Sequence, residues 1–498
     1  MRGVAGGYMS DKNGQWQTLD KDLGRIVQVE RATSYVARPM VGLGVALAFM
    51  VLAGLGAALA FGTQPGSIIV IAAAVLGAYM AINIGANDVA NNMGPAVGAK
   101  ALTMGGAIVI AALCESAGAL LAGGDVVSTI SKGIIAPEAV ENTSVFVWAM
   151  MAALLSSALW VNIATWIGAP VSTTHSVVGG VMGAGIAAAG ISAVNWASMG
   201  AIAASWVVSP MLGGLIAAGF LWFIKAFIMY QPDKIAAARR WVPVLTGIMM
   251  GVFATYLAVK GVKKIISIDL PTSLLIGAAV GALTYVVSAP LIRRQSEGME
   301  NRNKSLKALF GLPLVISAAL LSFAHGANDV ANAVGPLAAI VHAQEFGEFA
   351  GKVHIPQWVM VIGAFGISFG LLLFGPKLIR MVGSQITKLN PMRAFCVALS
   401  AAITVIVASW LGLPVSSTHI AVGAVFGVGF FREWYHEKRL TNAVRSKPKR
   451  MGPEERRRRK LVRRAHFSTI VAAWIITVPA AALLSGLTFY ALSHLFAS

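Results

Sequence analysis

Two short stretches of this 498-residue chain gather polar side chains inside otherwise apolar sequence. Gly85-Ala86-Asn87-Asp88-Val89-Ala90-Asn91-Asn92-Met93-Gly94-Pro95 recurs as Gly326-Ala327-Asn328-Asp329-Val330-Ala331-Asn332-Ala333-Val334-Gly335-Pro336. Each copy sets a carboxylate and several amide oxygens at the end of an apolar run. A charged side chain at the centre of a membrane helix costs at least about 2.5–3.5 kcal/mol, so such acids need a reason to be there. Asn87, Asp88 and Asn91, with Asn328, Asp329 and Asn332, supply hard oxygen donors for a cation; Asp88 and Asp329 would be the metal ligands if the ion is Na⁺. A desolvated Asp could instead carry a proton. The plainer alternative is an Asp capping a helix segment among turn formers, which recurrence in a second copy disfavours. The glycines and the proline of each copy predict an interrupted helix.

A second pair has the same order. Trp166-Ile167-Gly168-Ala169-Pro170-Val171-Ser172-Thr173-Thr174-His175 recurs as Trp410-Leu411-Gly412-Leu413-Pro414-Val415-Ser416-Ser417-Thr418-His419. Proline suits a first helical turn. Free N–H groups there, joined by the hydroxyls of Ser172, Thr173, Thr174, Ser416, Ser417 and Thr418, make an anion site without a formal positive charge. Ordinary capping by Ser172 or Ser416 is the alternative. In each half only Gly-x-Pro separates this element from the preceding apolar run, which suggests a re-entrant hairpin with its tip at the midplane.

Other polar residues are less specific. Glu115, a lone acid in an apolar run, is a candidate coupling acid, although its approximate counterpart lies near Ser368. Asp125, Ser128, Thr129, Ser131 and Lys132 follow Gly-Gly and line either a cavity or an exposed loop. His175 and His419 read as hydrogen-bond partners at helix starts, and His325, opposite Ile84 in the first half, reads as local.

The elements that must position these residues are membrane helices. Hydrophobic residues make up 57% of the chain and charged ones 12%, about half the charge of a soluble domain. Apolar runs of bilayer-spanning length fall near 40–61, 67–86, 102–122, 145–168, 171–190, 197–228, 242–259, 272–292, 311–327, 357–376, 394–412, 415–431 and 467–496. The expected fold is an all-α polytopic membrane protein of about 12 transmembrane helices, re-entrant hairpins included. Its parts are a cytosolic tail (1–39), a first helix (40–66), repeat 1 (67–228), connecting helices with a basic loop (229–310), repeat 2 (311–431), a basic cytosolic loop (432–466) and a last helix (467–498).

Lys+Arg number 39 against 20 Asp+Glu, a net charge of +19. In a soluble chain that excess would suggest nucleic acid; here it sits between apolar runs and sets orientation. The tail and the loops around Arg239, Arg293–Lys307 and Arg432–Arg464 can all be cytoplasmic, while Lys260, Lys263 and Lys264 count against that scheme. Counting crossings from a cytoplasmic N-terminus gives the two repeats opposite orientations, a mark of secondary transporters that bind substrate and ions near the midplane. No Gly-x-x-x-x-Gly-Lys-[Ser/Thr] or His-Glu-x-x-His pattern occurs, and no nucleophile, base and metal constellation is apparent, so the reading is not an enzyme. Cys114 and Cys396 are too few and too far apart for a disulfide framework.

On these motifs the chain resembles the inorganic phosphate transporter (PiT) family, whose signature is Gly-Ala-Asn-Asp-Val-Ala-Asn-Ala near both ends. The match covers roughly residues 67–190 and 311–431, and Gly85–Ala101 is most similar to the plant plastid and related bacterial low-affinity branch. Asn92, opposite Ala333, departs from the signature. The resemblance implies cation-coupled phosphate uptake, with phosphate on Ser172, Thr173, Thr174, Ser416, Ser417 and Thr418 and cations on Asn87, Asp88, Asn328 and Asp329. It implies H⁺ or Na⁺ as coupling ion and no cofactor. Some bacterial relatives take metal–phosphate complexes, and sulfate permeases are similar, so sulfate stays an alternative, as does a passive anion channel. The expected setting is the lipid of a bacterial inner membrane, with the N-terminus cytoplasmic and no nucleic-acid partner.

Overall fold

Inside a bilayer no water is available to backbone N–H and C=O groups, so apolar runs satisfy them internally as helices. A computed structural model of the protein describes residues 40–136, 139–140, 142–167, 171–261, 268–347, 353–385, 389–443 and 464–496. The tail 1–39, Lys263, Lys264, the first Gly-x-Pro (168–170) and residues 444–463 of the basic loop lie outside the described residues. Two compact units are present, Met1–Phe49 and Met50–Ser498. The described part of the first, residues 40–49, is the start of helix α1 (Met40–Phe61); the rest of the described fold belongs to the second.

The helices of the second unit are α2 (Ser67–Gly98), α3 (Met104–Ala122), α4 (Gly124–Lys132), α5 (Thr143–Ile167), α6 (Thr173–Ala189), α7 (Trp196–Ile224), α8 (Lys234–Lys260), α9 (Leu270–Gln295), α10 (Asn303–Leu309), α11 (Gly311–Asp329), α12 (Ala331–Phe346), α13 (Gln357–Gln385), α14 (Pro391–Trp410), α15 (Ser417–Ala443) and α16 (Arg464–Phe496). Polar side chains start many of them: Thr103, Ser172, Asn195, Asp233 and Asn390 each accept a hydrogen bond from the backbone N–H three residues on, satisfying a donor that has no intrahelical partner. Among the described residues the single β contact is a bridge between Ile135 and Val194.

Among the described residues eleven helical spans are long and apolar enough to cross a membrane, α11 and α12 together making one of them. Their outer surfaces are apolar too: Leu275 on α9 is 70% exposed and Ile475 on α16 69%, the inverse of a soluble protein. The chain is an integral membrane protein.

The expected interruption at Gly85, Gly94 and Pro95 does not occur, because α2 runs through all three. In the second copy only Val330 stands between α11 and α12, with helical backbone angles, and the two form one 36-residue span, Gly311–Phe346. The apolar run expected to end at 327 therefore continues through α12. The glycines serve close approach instead. A methyl group at Gly85 would overlap the carbonyl oxygen of Ile367 on α13, and one at Gly326 that of Glu115 on α3. Thus α2 packs on α13 and α11 on α3, each copy of the motif resting on a helix of the other half. The pairing of α15 with α7 repeats the exchange, and α6 packs on the last helix, α16. These contacts also correct the register, since Ile367 takes the place of Glu115. Ser368 is opposite Ser116, and their hydroxyls meet at 2.7 Å.

Candidate ion and anion site

The exchange of helices brings both copies of both motifs to one place. Residues 87–91 of α2 and 328–332 of the α11–α12 span face the first turns of α6 and α15, and every candidate residue among them is 5% exposed or less. Asn91 Nδ2 donates to Thr418 Oγ1 at 2.8 Å, and at the equivalent place Asn332 Nδ2 donates to Thr174 Oγ1 at 3.1 Å. Each amide thereby ties its own half to the hydroxyl element of the other. Asn87 Nδ2 donates to Thr165 Oγ1 at 2.9 Å and Asn328 Nδ2 to Ser409 Oγ at 3.0 Å, which fixes each Asn-Asp element to the helix preceding the hydroxyl motif in its own half.

The two carboxylates differ. Asp88 accepts from Thr173 through Oδ2 (2.7 Å) and from Thr418 through Oδ1 (2.9 Å). Asp329 accepts from Ser417 through Oδ2 (3.2 Å), while its Oδ1 is buried without a hydrogen-bond partner. The hydroxyl that symmetry would bring to it, that of Thr174, donates to the Val415 carbonyl at 3.0 Å.

His325, read from sequence as local, is central. Its Nδ1 lies 3.1 Å from Glu115 Oε1; its Nε2 lies 3.0 Å from Asp329 Oδ2, off the axis of a hydrogen bond, and 4.0 Å from Asp88 Oδ2. Asn92 donates to the same Glu115 oxygen at 3.0 Å. This is where Asn92 departs from the repeat, and it serves a buried carboxylate that has Ile367 opposite it in the second half. A signal for His325 was present in its i, i+4 spacing to Asp329 on a helix face; the contact with Glu115, 210 residues away, had none.

Chemically, ligand atoms of Asp88, Asp329 and His325 lie within 4.8 Å of one another. The unpartnered buried oxygens Asn87 Oδ1, Asn332 Oδ1 and Asp329 Oδ1 stand among the same residues. An orphaned buried acceptor is costly, and a hard cation would satisfy several at once. The two helix starts offer backbone N–H groups and hydroxyls that an anion could use. Ser172 and Ser416 do cap, accepting from His175 N at 3.1 Å and His419 N at 3.3 Å; their own O–H groups remain donors. The rings of His175 and His419 meet edge to face with centroids 4.4 Å apart, so the two starts converge. Asp125 and Thr129 lie on a short helix rather than in a loop. Cys114 and Cys396 are free thiols.

Residues 84–485 match the model of a family described as the phosphate transporter family. A Helicobacter pylori protein provisionally named a phosphate permease is 45% identical, with 95% of this chain and 99% of that protein covered. The chloroplastic inorganic phosphate transporter 2-1 of Arabidopsis thaliana is 36% identical, with 93% and 79% covered. A solved structure described as the sodium-dependent phosphate transporter superposes with a TM-score of 0.77 at 36% identity, covering 86% of this chain and all of that one.

Proposed function

Because this chain belongs to the phosphate transporter family, a family of transporters and not of enzymes, we propose that it imports inorganic phosphate together with cations by exposing one buried site alternately to the two sides of the membrane. The observation that carries the reading is the Asp88 carboxylate bonded at once to Thr173 and Thr418, the hydroxyls that open α6 and α15. On this reading a cation ligand and two helix N-termini lie side by side, buried where the halves meet. Phosphate is held by backbone N–H groups and the hydroxyls of residues 172–174 and 416–418, where helix ends favour an anion. Cations are held by Asp88 and Asp329 with the oxygens of Asn87, Asn91, Asn328 and Asn332.

Membrane voltage makes the cations necessary. At about −100 mV inside, each imported negative charge costs about 2.3 kcal/mol, hence about 4.6 kcal/mol for HPO₄²⁻. Two cations cancel this term, which matches two aspartates, and a third drives accumulation. Na⁺ is supported by the orphaned acceptors and by the sodium-dependent structural neighbour. One observation favours H⁺ as a second reading: the buried Glu115–His325–Asp329 chain, in which Glu115 acts as coupling acid. On this reading the two repeats take opposite orientations, as counting crossings from a cytoplasmic N-terminus gives. The setting we assign is a bacterial inner membrane with a cytoplasmic N-terminus.

Labelled phosphate uptake into proteoliposomes in the presence of a large excess of sulfate tests the substrate. Phosphate uptake is expected to persist; suppression by sulfate would make the protein a sulfate permease.

A further inference from the structure

The turn between α14 and α15 is held by side chains of five other helices. Thr129 Oγ1 on α4 donates to Gly412 O at 2.7 Å, Asn328 Nδ2 on α11 to Leu413 O at 3.2 Å, Trp206 Nε1 on α7 to Pro414 O at 3.0 Å and Thr174 Oγ1 on α6 to Val415 O at 3.0 Å. Lys260 Nζ, on the last residue of α8, reaches Trp410 O at 3.5 Å and pairs with Asp125 at the start of α4. Gly412 reverses the chain with a φ of 69°, a conformation in which glycine alone is unstrained.

These contacts grade from dry to wet. Val415 and the hydroxyl element beyond it are buried, as are Thr174 and Asn328. At the other end Lys260 is 22% and Asp125 48% exposed. Residues 410–415 therefore lie between the buried hydroxyl element and the exposed Lys260–Asp125 pair. Water can replace the partners most readily where they are already wet, so undocking starts at Lys260, Asp125 and Thr129. It has a consequence inside: once Val415 O withdraws, the Thr174 hydroxyl is released toward Asp329 Oδ1, the acceptor left without a partner. The Thr174–Asp329 bond would then mirror the Thr418–Asp88 bond of the other half.

We propose that Lys260, Asp125 and Thr129 are positioning residues that clamp the 410–415 turn over the buried site, and that the clamp opens and closes once per transport cycle. The inference rests on the transport reading above, and its test is chosen to stand apart from it. In full-length protein carrying Cys114→Ser and Cys396→Ser, a thiol introduced by Val415→Cys is labelled with a membrane-impermeant maleimide from the Lys260 side. An exposed ion pair contributes about 0.2–1 kcal/mol, so Lys260→Gln or Asp125→Asn should raise the labelling rate about 1.4- to 5-fold. Thr129→Val should raise it about 2- to 13-fold, the range for one net hydrogen bond. The charge reversal Lys260→Asp with Asp125→Lys should restore the parent rate, which loss of a merely structural contact would not predict. In uptake, the half-saturating phosphate concentration should rise in the single variants while the maximal rate holds. If Val415→Cys protein does not accumulate, Leu413→Cys, half-buried in the same turn, is the substitute. Labelling that is unchanged in all three variants, or reversal that fails to restore it, overturns the clamp. Labelling that responds as stated in a protein that moves no phosphate supports the clamp and removes the transport reading instead.

Discussion

Asp88 and Asp329 sit in nearly identical sequence yet have unlike surroundings. Both oxygens of Asp88 accept hydroxyls, one from each half of the molecule. Asp329 has one hydroxyl, the His325 imidazole and an oxygen without a partner. The difference traces to Thr174, whose equivalent in the other half, Thr418, bonds the aspartate while Thr174 bonds the 410–415 turn. A second asymmetry adds to it, because Glu115 has Ile367 opposite it and His325 has Ile84. Repetition of a motif thus reproduces its helix packing and its amide contacts but not its charge. The first acid joins the halves; the second keeps one buried oxygen without a hydrogen-bond partner.

His325→Ala should have the largest effect, since it removes the group set between Glu115 and Asp329. Leaving buried carboxylate oxygens without their partner costs at least about 1–3 kcal/mol per group, visible as a lower melting temperature in detergent. Stability equal to that of the parent would mean that the His325 contacts add nothing to the fold. Next in size are the aspartates. Hydrogen bonds to charged groups are worth about 1.5–3 kcal/mol, so Asp88→Asn, which weakens two, should cut phosphate accumulation by on the order of 100-fold and also lower the melting temperature. Asp329→Asn should abolish accumulation with a smaller loss of stability; equal losses in both would erase the distinction drawn above.

Gly85→Ala and Gly326→Ala sharpen the comparison from the other side, for here the halves should agree. Each methyl meets a backbone carbonyl across a helix pair, and overpacking costs about 1–3 kcal/mol. Unequal melting shifts would argue against equivalent packing. The smallest effect is expected from Ser116→Ala, which breaks one hydroxyl contact between the halves, by about 0.5–1.5 kcal/mol; Ser368→Ala also loses the bond to Ala112 O and should cost more.

Much of this was legible in the sequence. Both motifs, their repetition and their polar side chains inside apolar runs stand out by eye, because a membrane makes every polar residue conspicuous. The membrane helices were legible for the same reason, apart from α12, where Gly and Pro suggested a break that close helix packing explains instead. What stayed hidden depends on contacts between distant segments. His325 reads as ordinary until α11 is laid on α3, and the register of Glu115 against Ile367 needs the glycine contacts that set it. Lys260 counted against a cytoplasmic placement of positive charge, yet it has a local reason to be where it is: Asp125, 135 residues earlier, is its partner.

The central claim is that phosphate movement is bound to cation movement through Asp88 and Asp329. The most direct measurement is labelled phosphate uptake into proteoliposomes of the purified protein under an imposed inward Na⁺ gradient, an imposed inward H⁺ gradient, or neither. Accumulation above the external concentration under one of the gradients, and only equilibration without one, is the predicted result. Equal flux under all three conditions would describe a passive anion channel and contradict the account.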